Sequence, residues 1–282
     1  MIVSQLCVYP LKSCQGIELP QAQVRAKGFL GDREMMLVSG NGRFITQRQF
    51  PQLAKVNVKT VREDIVLQLK DDSFPSLTFT PNLTGAEIEV EIWRDRLVAI
   101  DQGDEVAQWF HQLLDLAPDK ICRLVKQSAK HIRTVEKKYS SDDDNPVNFA
   151  DSYPIMLTAT ASLAQLNQRI MEIHLSQKQA VVMNCFRPNI VVKTSKPFVE
   201  DRWSLIQIGE IQFRVVKPCS RCIITTIDQR RGERNSLKEP LNTLGTFRQL
   251  SEQGVVFGVH MIPLNEGTIA VGDRLQVIET RS

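Results

Sequence analysis

Residues 212–228 read QFRVVKPCSRCIITTID, and this stretch decides how the second half of the chain folds. Apolar and β-branched residues flank the pair Cys219 and Cys222, which predicts a strand, a tight segment carrying two thiols, and a second β-rich run. Arg221 lies between the thiols, and a guanidinium beside a thiol favours the thiolate, the form that binds metals or attacks electrophiles. The pair could form a disulfide, half of a zinc site, a redox couple or the ligand of another metal.

Spacing and context discriminate among these chemistries. A structural zinc site takes four ligands, but the sequence has no second Cys-x-x-Cys and its four histidines are scattered. A thioredoxin-like pair opens a helix after a strand, whereas β-branched residues follow Cys222 and favour a strand. Two packed, inert thiols are a further alternative, against which stands the charged Arg221 between them.

Composition is that of a globular protein with more than one domain. The chain has 282 residues, of which 42% are hydrophobic and 24% charged. It has no apolar run of about 18 residues and no signal-peptide pattern, so we expect a cytoplasmic protein without a membrane segment and with mostly reduced cysteines. A net charge of +3 and an aromatic content of 6% argue against nucleic-acid binding.

Short runs rich in Val, Ile, Leu and Thr, separated by turn residues, predict a β-barrel or sandwich in the first part of the chain. The predicted strands cover residues 3–9, 18–24, 34–38, 56–61, 65–69, 77–80, 88–92 and 96–99. The turn sequence SGNGR at 39–43 predicts a hairpin. A helix is predicted over 105–114, because its apolar residues share one face.

The second part of the chain mixes helix and strand. Polar residues 128–150 predict an exposed loop near a domain junction. A helix is predicted over 162–170 with Thr160 as its N-cap, and strands over 189–193, 206–216, 255–261 and 267–278, the last interrupted by a turn at Gly272. The predicted class is mixed α/β and β-rich: an N-terminal β-barrel-like domain (1–122) and a second β-barrel with peripheral helices (123–282).

Several other positions could carry chemistry. Lys12 and Ser13 follow the first predicted strand and could offer N–H and O–H donors to a phosphate, or form a surface turn. Arg187 lies in the segment NCFRPNI, where a semi-buried Arg needs an anion or a carboxylate. Asp151 could cap local backbone, and His260 could be a packed strand residue. Each position taken alone leaves both interpretations open.

Taken in order, the motifs of this chain are more specific. They are YPLKSCQG from Tyr9, GDR from Gly31, TQRQ from Thr46, FADSYP from Phe149, NCFRPNI from Asn184, CSRCIITTID from Cys219, KEPL from Lys238 with Arg248 downstream, and GTIAVGD from Gly267. This series resembles the MOSC family, found in molybdenum-cofactor sulfurases. It is most similar to the branch with an N-terminal MOSC β-barrel domain, which includes the mitochondrial amidoxime reducing component and bacterial relatives.

The resemblance implies a molybdenum cofactor, a metal on a pyranopterin dithiolene, with a cysteine thiolate as protein ligand. Cys222 matches that ligand, and Asp151 matches an acidic position near the metal that could orient a substrate or relay protons. His260 stands where the family often has Tyr, and it could donate a hydrogen bond or titrate near neutral pH. The positions that match cofactor contacts are Lys12, Ser13, Arg33, Ser152, Arg187, Asn189, Ser220, Arg221 and His260. Pyridoxal phosphate binding is a further family-level property that the resemblance suggests.

The reaction that the resemblance implies is two-electron reduction of an N–O bond in a small N-hydroxylated substrate. The cofactor carries the redox chemistry, and the protein orients the reactants. Some bacterial relatives carry a C-terminal ferredoxin domain, but this sequence has no Cys-x₄-Cys-x₂-Cys set, so we expect a separate electron-transfer protein or reductase as partner. The alternatives are a non-catalytic cofactor carrier, or a sulfur-transfer protein with a persulfide on Cys219 or Cys222.

Overall fold

The computed structural model of the chain describes residues 1–135, 145–174 and 180–281. Residues 136–144 of the polar segment predicted as a loop lie outside the described residues. The described ends of that segment form a short antiparallel ribbon in which Arg133 pairs with Val147. Within the described ranges, no helix is long and apolar enough to cross a bilayer.

Short strands dominate the described residues, and the β-rich mixed class predicted from the sequence is confirmed. The strands of the first half are β1 (Ile2–Val8), β2 (Ile17–Leu19), β3 (Gln21–Arg25), β4 (Gly28–Phe29), β5 (Met35–Ser39), β6 (Val56–Val61), β7 (Asp64–Leu69), β8 (Leu77–Phe79), β9 (Glu87–Ile92), β10 (Asp95–Asp101) and β11 (Cys122–Gln127). Those of the second half are β12 (Arg133–Thr134), β13 (Pro146–Val147), β14 (Ile155–Ala159), β15 (Ile190–Lys193), β16 (Trp203–Ile208), β17 (Ile211–Ser220), β18 (Ile227–Asp228), β19 (Glu233–Arg234), β20 (Gln249–Leu250), β21 (Gly254–Pro263), β22 (Gly267–Ala270) and β23 (Leu275–Thr280). The helices are α1 (Asp104–Leu113), α2 (Thr160–Ile173) and α3 (Leu241–Phe247).

A closed barrel forms the centre of the molecule. Its strands follow the order β1, β15, β14, β21, β17, β16 and β23. The ring closes because the Val3 amide donates to the Asp273 carbonyl (2.9 Å) and the Leu275 amide donates to the Met1 carbonyl (3.0 Å), where the start of β23 meets β1. Closure removes the unpaired strand edges that an open sheet would expose. The first strand of the chain therefore completes a barrel whose other strands all follow residue 154.

The barrel interior is a continuous apolar core. Leu157 on β14, Ile190 on β15, Phe213 on β17 and Val259 on β21 are among its fully buried side chains. Burial of each such side chain contributes about 1.5–3 kcal/mol to folding. This core holds the strand ends in place, and the candidate site is built on loops that leave those ends.

The remaining strands of the first half form a second β-rich layer. β5, β11, β10 and β9 make one antiparallel sheet, and β6, β7 and β8 make another. Helix α1 packs between them with Val106, Trp109 and Phe110 buried, which confirms the amphipathic pattern seen in the sequence. Because β11 (122–127) pairs with β5 and β10, this layer continues past residue 122, and the domain boundary placed there stays a prediction.

Three local predictions need correction. The strand predicted over 18–24 is two strands in different sheets, because Pro20 has no amide N–H with which to continue a ladder. The strand predicted over 206–216 is the β16–β17 hairpin, which turns at Gly209 with φ +57°. Thr160 is the first helical residue of α2, and the N-cap is Ala159 without a side-chain hydrogen bond. The hairpin predicted at 39–43 is confirmed, since the Ser39 amide donates to the Arg43 carbonyl at 2.8 Å.

Candidate functional site

A cavity lies between the barrel and the N-terminal layer, and all of the sequence-predicted site residues line it. These residues are Lys12, Ser13, Arg33, Asp151, Ser152, Arg187, Asn189, Ser220, Arg221, Cys222 and His260. They come from loops after β1 and β4, the segment before β14, the segment before β15, the end of β17 and the middle of β21. Residues up to 248 positions apart in the sequence are thus brought to one cavity.

Cys222 is the accessible thiol of this cavity. All six cysteines lie in described residues as free thiols; five are buried and Cys222 is partly exposed. The strand expected after Cys222 is instead a 3₁₀ turn, Ile223–Thr226, before the short β18. The turn forms because the amide of Thr225 (3.1 Å) and its hydroxyl (2.9 Å) both donate to the Cys222 carbonyl, a local bond that competes with strand pairing.

Cys219 differs from Cys222 in environment. It is buried, and Arg221 Nη1 donates to its Sγ at 2.8 Å, while Nη2 of the same guanidinium donates to the Phe186 carbonyl at 2.7 Å. Burial raises the pKa of the Cys219 thiol, and the opposing effect of Arg221 is smaller. Arg221 thus favours the thiolate of Cys219 in the predicted direction, but burial outweighs it at this packed thiol.

Two guanidinium groups stack on one aromatic ring at the inner end of the cavity. Arg33 and Arg187 each lie 4.3 Å from the centroid of the Tyr9 ring. Asp32 balances Arg33 through a 2.6 Å ion pair. Arg187 Nη2, in contrast, is buried with no hydrogen-bond partner among the described residues, and burial lowers the pKa of Arg187. A buried N–H of a cation without a partner is costly, so this geometry favours an anionic ligand at Arg187.

Asn189 holds one of these arginines, Arg33, and two backbone segments through its side-chain amide. Its Oδ1 accepts from Arg33 Nη1 (3.0 Å) and from the Met156 amide (3.2 Å), and its Nδ2 donates to the Cys7 carbonyl (3.2 Å). Because these bonds join four segments of the chain, the geometry favours a positioning role for this amide over direct ligand contact.

A buried lysine and a carboxylate pair at the other side of the cavity. Lys12 Nζ donates to Asp151 Oδ1 at 2.5 Å and to the Phe149 carbonyl at 2.7 Å. Desolvation opposes ionisation of Asp151, but the charge and hydrogen bond of Lys12 outweigh it and hold the pKa of Asp151 well below its usual range. Burial likewise lowers the pKa of Lys12, with Asp151 acting in the opposite direction. The pair places one fixed carboxylate at the cavity wall.

His260 lies in the cavity wall as a neutral ring. Its ring stands 5.1 Å from that of Tyr153, and its Nδ1 is buried without a partner among the described residues. Burial, together with the charges of Arg221 and Lys217, lowers the pKa of His260 to about 3. Of the two roles left open by the sequence, the lowered pKa argues against titration near neutral pH, and hydrogen bonding by a neutral imidazole stays a prediction.

The structure adds two site residues that the sequence analysis did not single out. Arg48 Nη2 donates to Cys222 Sγ at 3.5 Å, and the Trp93 indole donates to Asp151 Oδ1 at 3.2 Å. Arg48 belongs to the quoted motif TQRQ, which was a usable signal. Trp93 lies in no motif, so only its position in space connects it to the site.

These features define a class of protein: a β-barrel that presents one accessible thiol in a cavity lined by cations and suited to an anionic ligand. Residues 1–116 match the family model described as "MOSC N-terminal beta barrel domain", and residues 144–276 match the model described as "MOSC domain". The chain belongs to this family of proteins, in the branch of the mitochondrial amidoxime-reducing components, as the sequence resemblance predicts.

Individual relatives agree with this placement. The chain is 30% identical to mitochondrial amidoxime-reducing component 1 of Mus musculus, over 98% of this chain and 82% of that protein. It is 32% identical to mitochondrial amidoxime reducing component 2 of Bos taurus, over 96% and 81%. Molybdenum cofactor sulfurase of Danio rerio is 27% identical over 92% of this chain, which spans 31% of that longer protein.

Proposed function

We propose that this protein binds the molybdenum cofactor and reduces the N–O bond of small N-hydroxylated compounds with electrons from a separate protein. The observation that carries the proposal is the position of Cys222, the partly exposed thiol of the six, in a cavity lined by cations. The relatives named for amidoxime reduction support the choice of substrate class.

The donor groups of the cavity fit such a cofactor. Arg187 Nη2, Arg221 Nε and His260 Nδ1 are buried polar atoms without partners among the described residues, and all three residues line the cavity. A phosphate and a pterin ring are rich in acceptors and edge donors that would satisfy these atoms. Arg187, Arg221 and Lys12 would bind the anionic and pterin parts, and the soft thiolate of Cys222 would hold the metal.

When bound, the cofactor would supply the two-electron chemistry that cleaves the N–O bond. Asp151 supplies a carboxylate that stays ionised at neutral pH, because Lys12 lowers its pKa. It therefore accepts hydrogen bonds from the N–H groups of an amidoxime or attracts a cationic amidine, and it does not serve as the proton donor. Both Lys12 and Trp93 bond to Oδ1, which leaves Oδ2 to orient the substrate.

Two alternatives from the sequence are kept as outcomes of the test. A cofactor carrier would bind molybdenum without turnover. A sulfur-transfer protein would need a reactive thiol, and the burial of Cys219 favours Cys222 for that role. The cytoplasmic location and pyridoxal phosphate binding stay predictions.

Metal and pterin analysis of protein expressed in a cofactor-competent host tests the ligand assignment. Wild type and Cys219→Ala should contain molybdenum and Cys222→Ala should not, because Cys219 is packed away and Cys222 is accessible. Equal molybdenum in both variants would remove Cys222 as ligand, and a persulfide without molybdenum would support sulfur transfer.

Turnover is tested separately with benzamidoxime and a reduced viologen as electron donor. Molybdenum-loaded wild type should form benzamidine, and Cys222→Ala should show only background. Loaded protein that never turns over, with this or with a hydroxylamine substrate, would favour the carrier.

A further inference from the structure

Trp93 occupies a position where neither the turn nor the core requires a tryptophan. Ile92 pairs with Asp95, so Trp93 is the first residue of the two-residue turn between β9 and β10. Its φ is +57°, in the left-handed region where glycine is the usual residue of such turns and a bulky side chain is an outlier. Its side chain is also 46% exposed. A strained, exposed aromatic residue points to a function outside local folding.

Trp93 contacts two residues that line the cavity, Asp151 and Arg48. Its indole N–H bonds to Asp151 Oδ1, and the Arg48 guanidinium lies 4.8 Å from its ring centroid. Phe44 supports the ring at 5.2 Å. One side chain from the N-terminal layer thus touches both a wall carboxylate and a cation that contacts Cys222.

The Arg48 guanidinium contacts both the Trp93 ring and the Cys222 sulfur. Its Nη2 reaches Cys222 Sγ at 3.5 Å, and its side chain is long and flexible. The guanidinium contacts Trp93 and Cys222, and its charge also acts on the Asp151 carboxylate. Cation–π stacking restricts the guanidinium to one side of the ring, which faces the thiol.

We propose that Trp93 is a positioning residue that holds the Arg48 guanidinium against Cys222 and fixes the Asp151 carboxylate at the cavity mouth. The role of the Arg48–Cys222 contact in catalysis rests on the proposed function. If Cys222 binds the metal, a hydrogen bond to its sulfur tunes that metal. The N-terminal layer thereby completes a site whose thiol lies in the second half of the chain.

The charge beside Cys222 can be measured in metal-free protein with two alkylating reagents. Iodoacetate and iodoacetamide react with the same thiolate, forming an S–C bond as iodide leaves. The ratio of their rate constants at one pH therefore cancels thiolate fraction and reports how the site attracts an anion. Peptide mass spectrometry confirms that Cys222 is the modified residue.

Arg48→Gln should lower the iodoacetate-to-iodoacetamide ratio roughly threefold, the size expected for one nearby unit charge in a partly hydrated site. Trp93→Gly should lower it by a similar factor without lowering the melting temperature, because glycine suits the positive φ. Trp93→Phe keeps a ring under Arg48 and should restore most of the ratio. Arg94→Ala, at the exposed second position of the same turn, is the matched control, since an exposed charge is screened by salt.

An unchanged ratio in Trp93→Gly would overturn the proposal. A lower melting temperature with an unchanged ratio would assign Trp93 a structural role only. If Trp93→Gly does not fold, Trp93→Leu, which fills the space without an aromatic face or an N–H, decides the same question. A protein that never binds molybdenum would still give these ratios, so failure of the proposed function and failure of this inference are separate results.

Discussion

Glu200 allows a quantitative test of the electrostatics in this fold. Its side chain is fully buried, and Oε1 accepts a hydrogen bond from Ser162 Oγ at 2.6 Å. Its Oε2 is buried with no partner in the part of the chain that the structure describes. Desolvation raises the pKa of Glu200 to about 7, although the Ser162 hydrogen bond acts in the opposite direction. The carboxyl group is neutral in acid and must ionise inside the protein as the pH rises.

The direction of the pH effect follows from this pKa. Because the pKa is higher in the folded than in the unfolded chain, the free energy of unfolding from this group is greatest below pH 4.5 and falls as the pH rises to about 7. Each pH unit in that window removes about 1.4 kcal/mol, so the loss by pH 8 is about 3 kcal/mol. Glu200→Gln keeps the shape and the acceptor for Ser162 but cannot ionise. We expect it to match wild type near pH 4.5 and to be more stable by about 3 kcal/mol at pH 8.

Urea unfolding of both proteins at pH 5 and pH 8 measures this difference. Glu210→Gln, at an exposed position, is the matched control and should track wild type at both pH values. The neighbouring Asp201–Arg248 ion pair (2.7 Å) is present in every variant, and its two charges act in opposite directions on the pKa of Glu200, each less than burial does. A stability difference between Glu200→Gln and wild type that does not change with pH would refute the reasoning.

Three other predictions follow from burial and backbone geometry. The His260 ring should stay neutral between pH 5 and 8 in NMR titrations, because burial and nearby cations lower its pKa to about 3; a midpoint near 6.5 would contradict this. A thiol reagent should modify one cysteine per folded chain, Cys222, and all six after unfolding; rapid modification of Cys219 would show that this thiol is accessible and not buried. In urea unfolding, Gly258→Ala should lose more stability than Gly254→Ala, and the difference in the free energy of unfolding should be about 2 kcal/mol. Both glycines have φ +72°, but a Cβ at 258 would lie 2.6 Å from the Leu157 carbonyl oxygen, whereas one at 254 meets nothing within 4 Å. Equal losses would rule out the close contact.

Much of the architecture could be predicted from local patterns. The alternation of buried residues along β3 and β7 and the apolar face of α1 come from periodicity within each segment. Errors arose where one residue interrupts a favourable pattern, as at Pro20 and Gly209. Barrel closure between β1 and β23 was not predictable, because the pairing of Val3 with Asp273 depends on contacts across almost the whole chain.

The candidate site also has features that the sequence predicts and features that only tertiary contacts determine. Residue type and motif order alone predicted Cys222, Arg187, Lys12 and Asp151 as site residues, since thiol, guanidinium, ammonium and carboxylate groups carry their chemistry wherever they are placed. Only the tertiary structure decided which of two neighbouring thiols is accessible, because it buries Cys219 and leaves Cys222 partly exposed. It also brought Arg48 to the Cys222 thiol, and Trp93 to Arg48 and Asp151. Charge and chemistry belong to the residue, whereas desolvation and proximity belong to the fold that surrounds it.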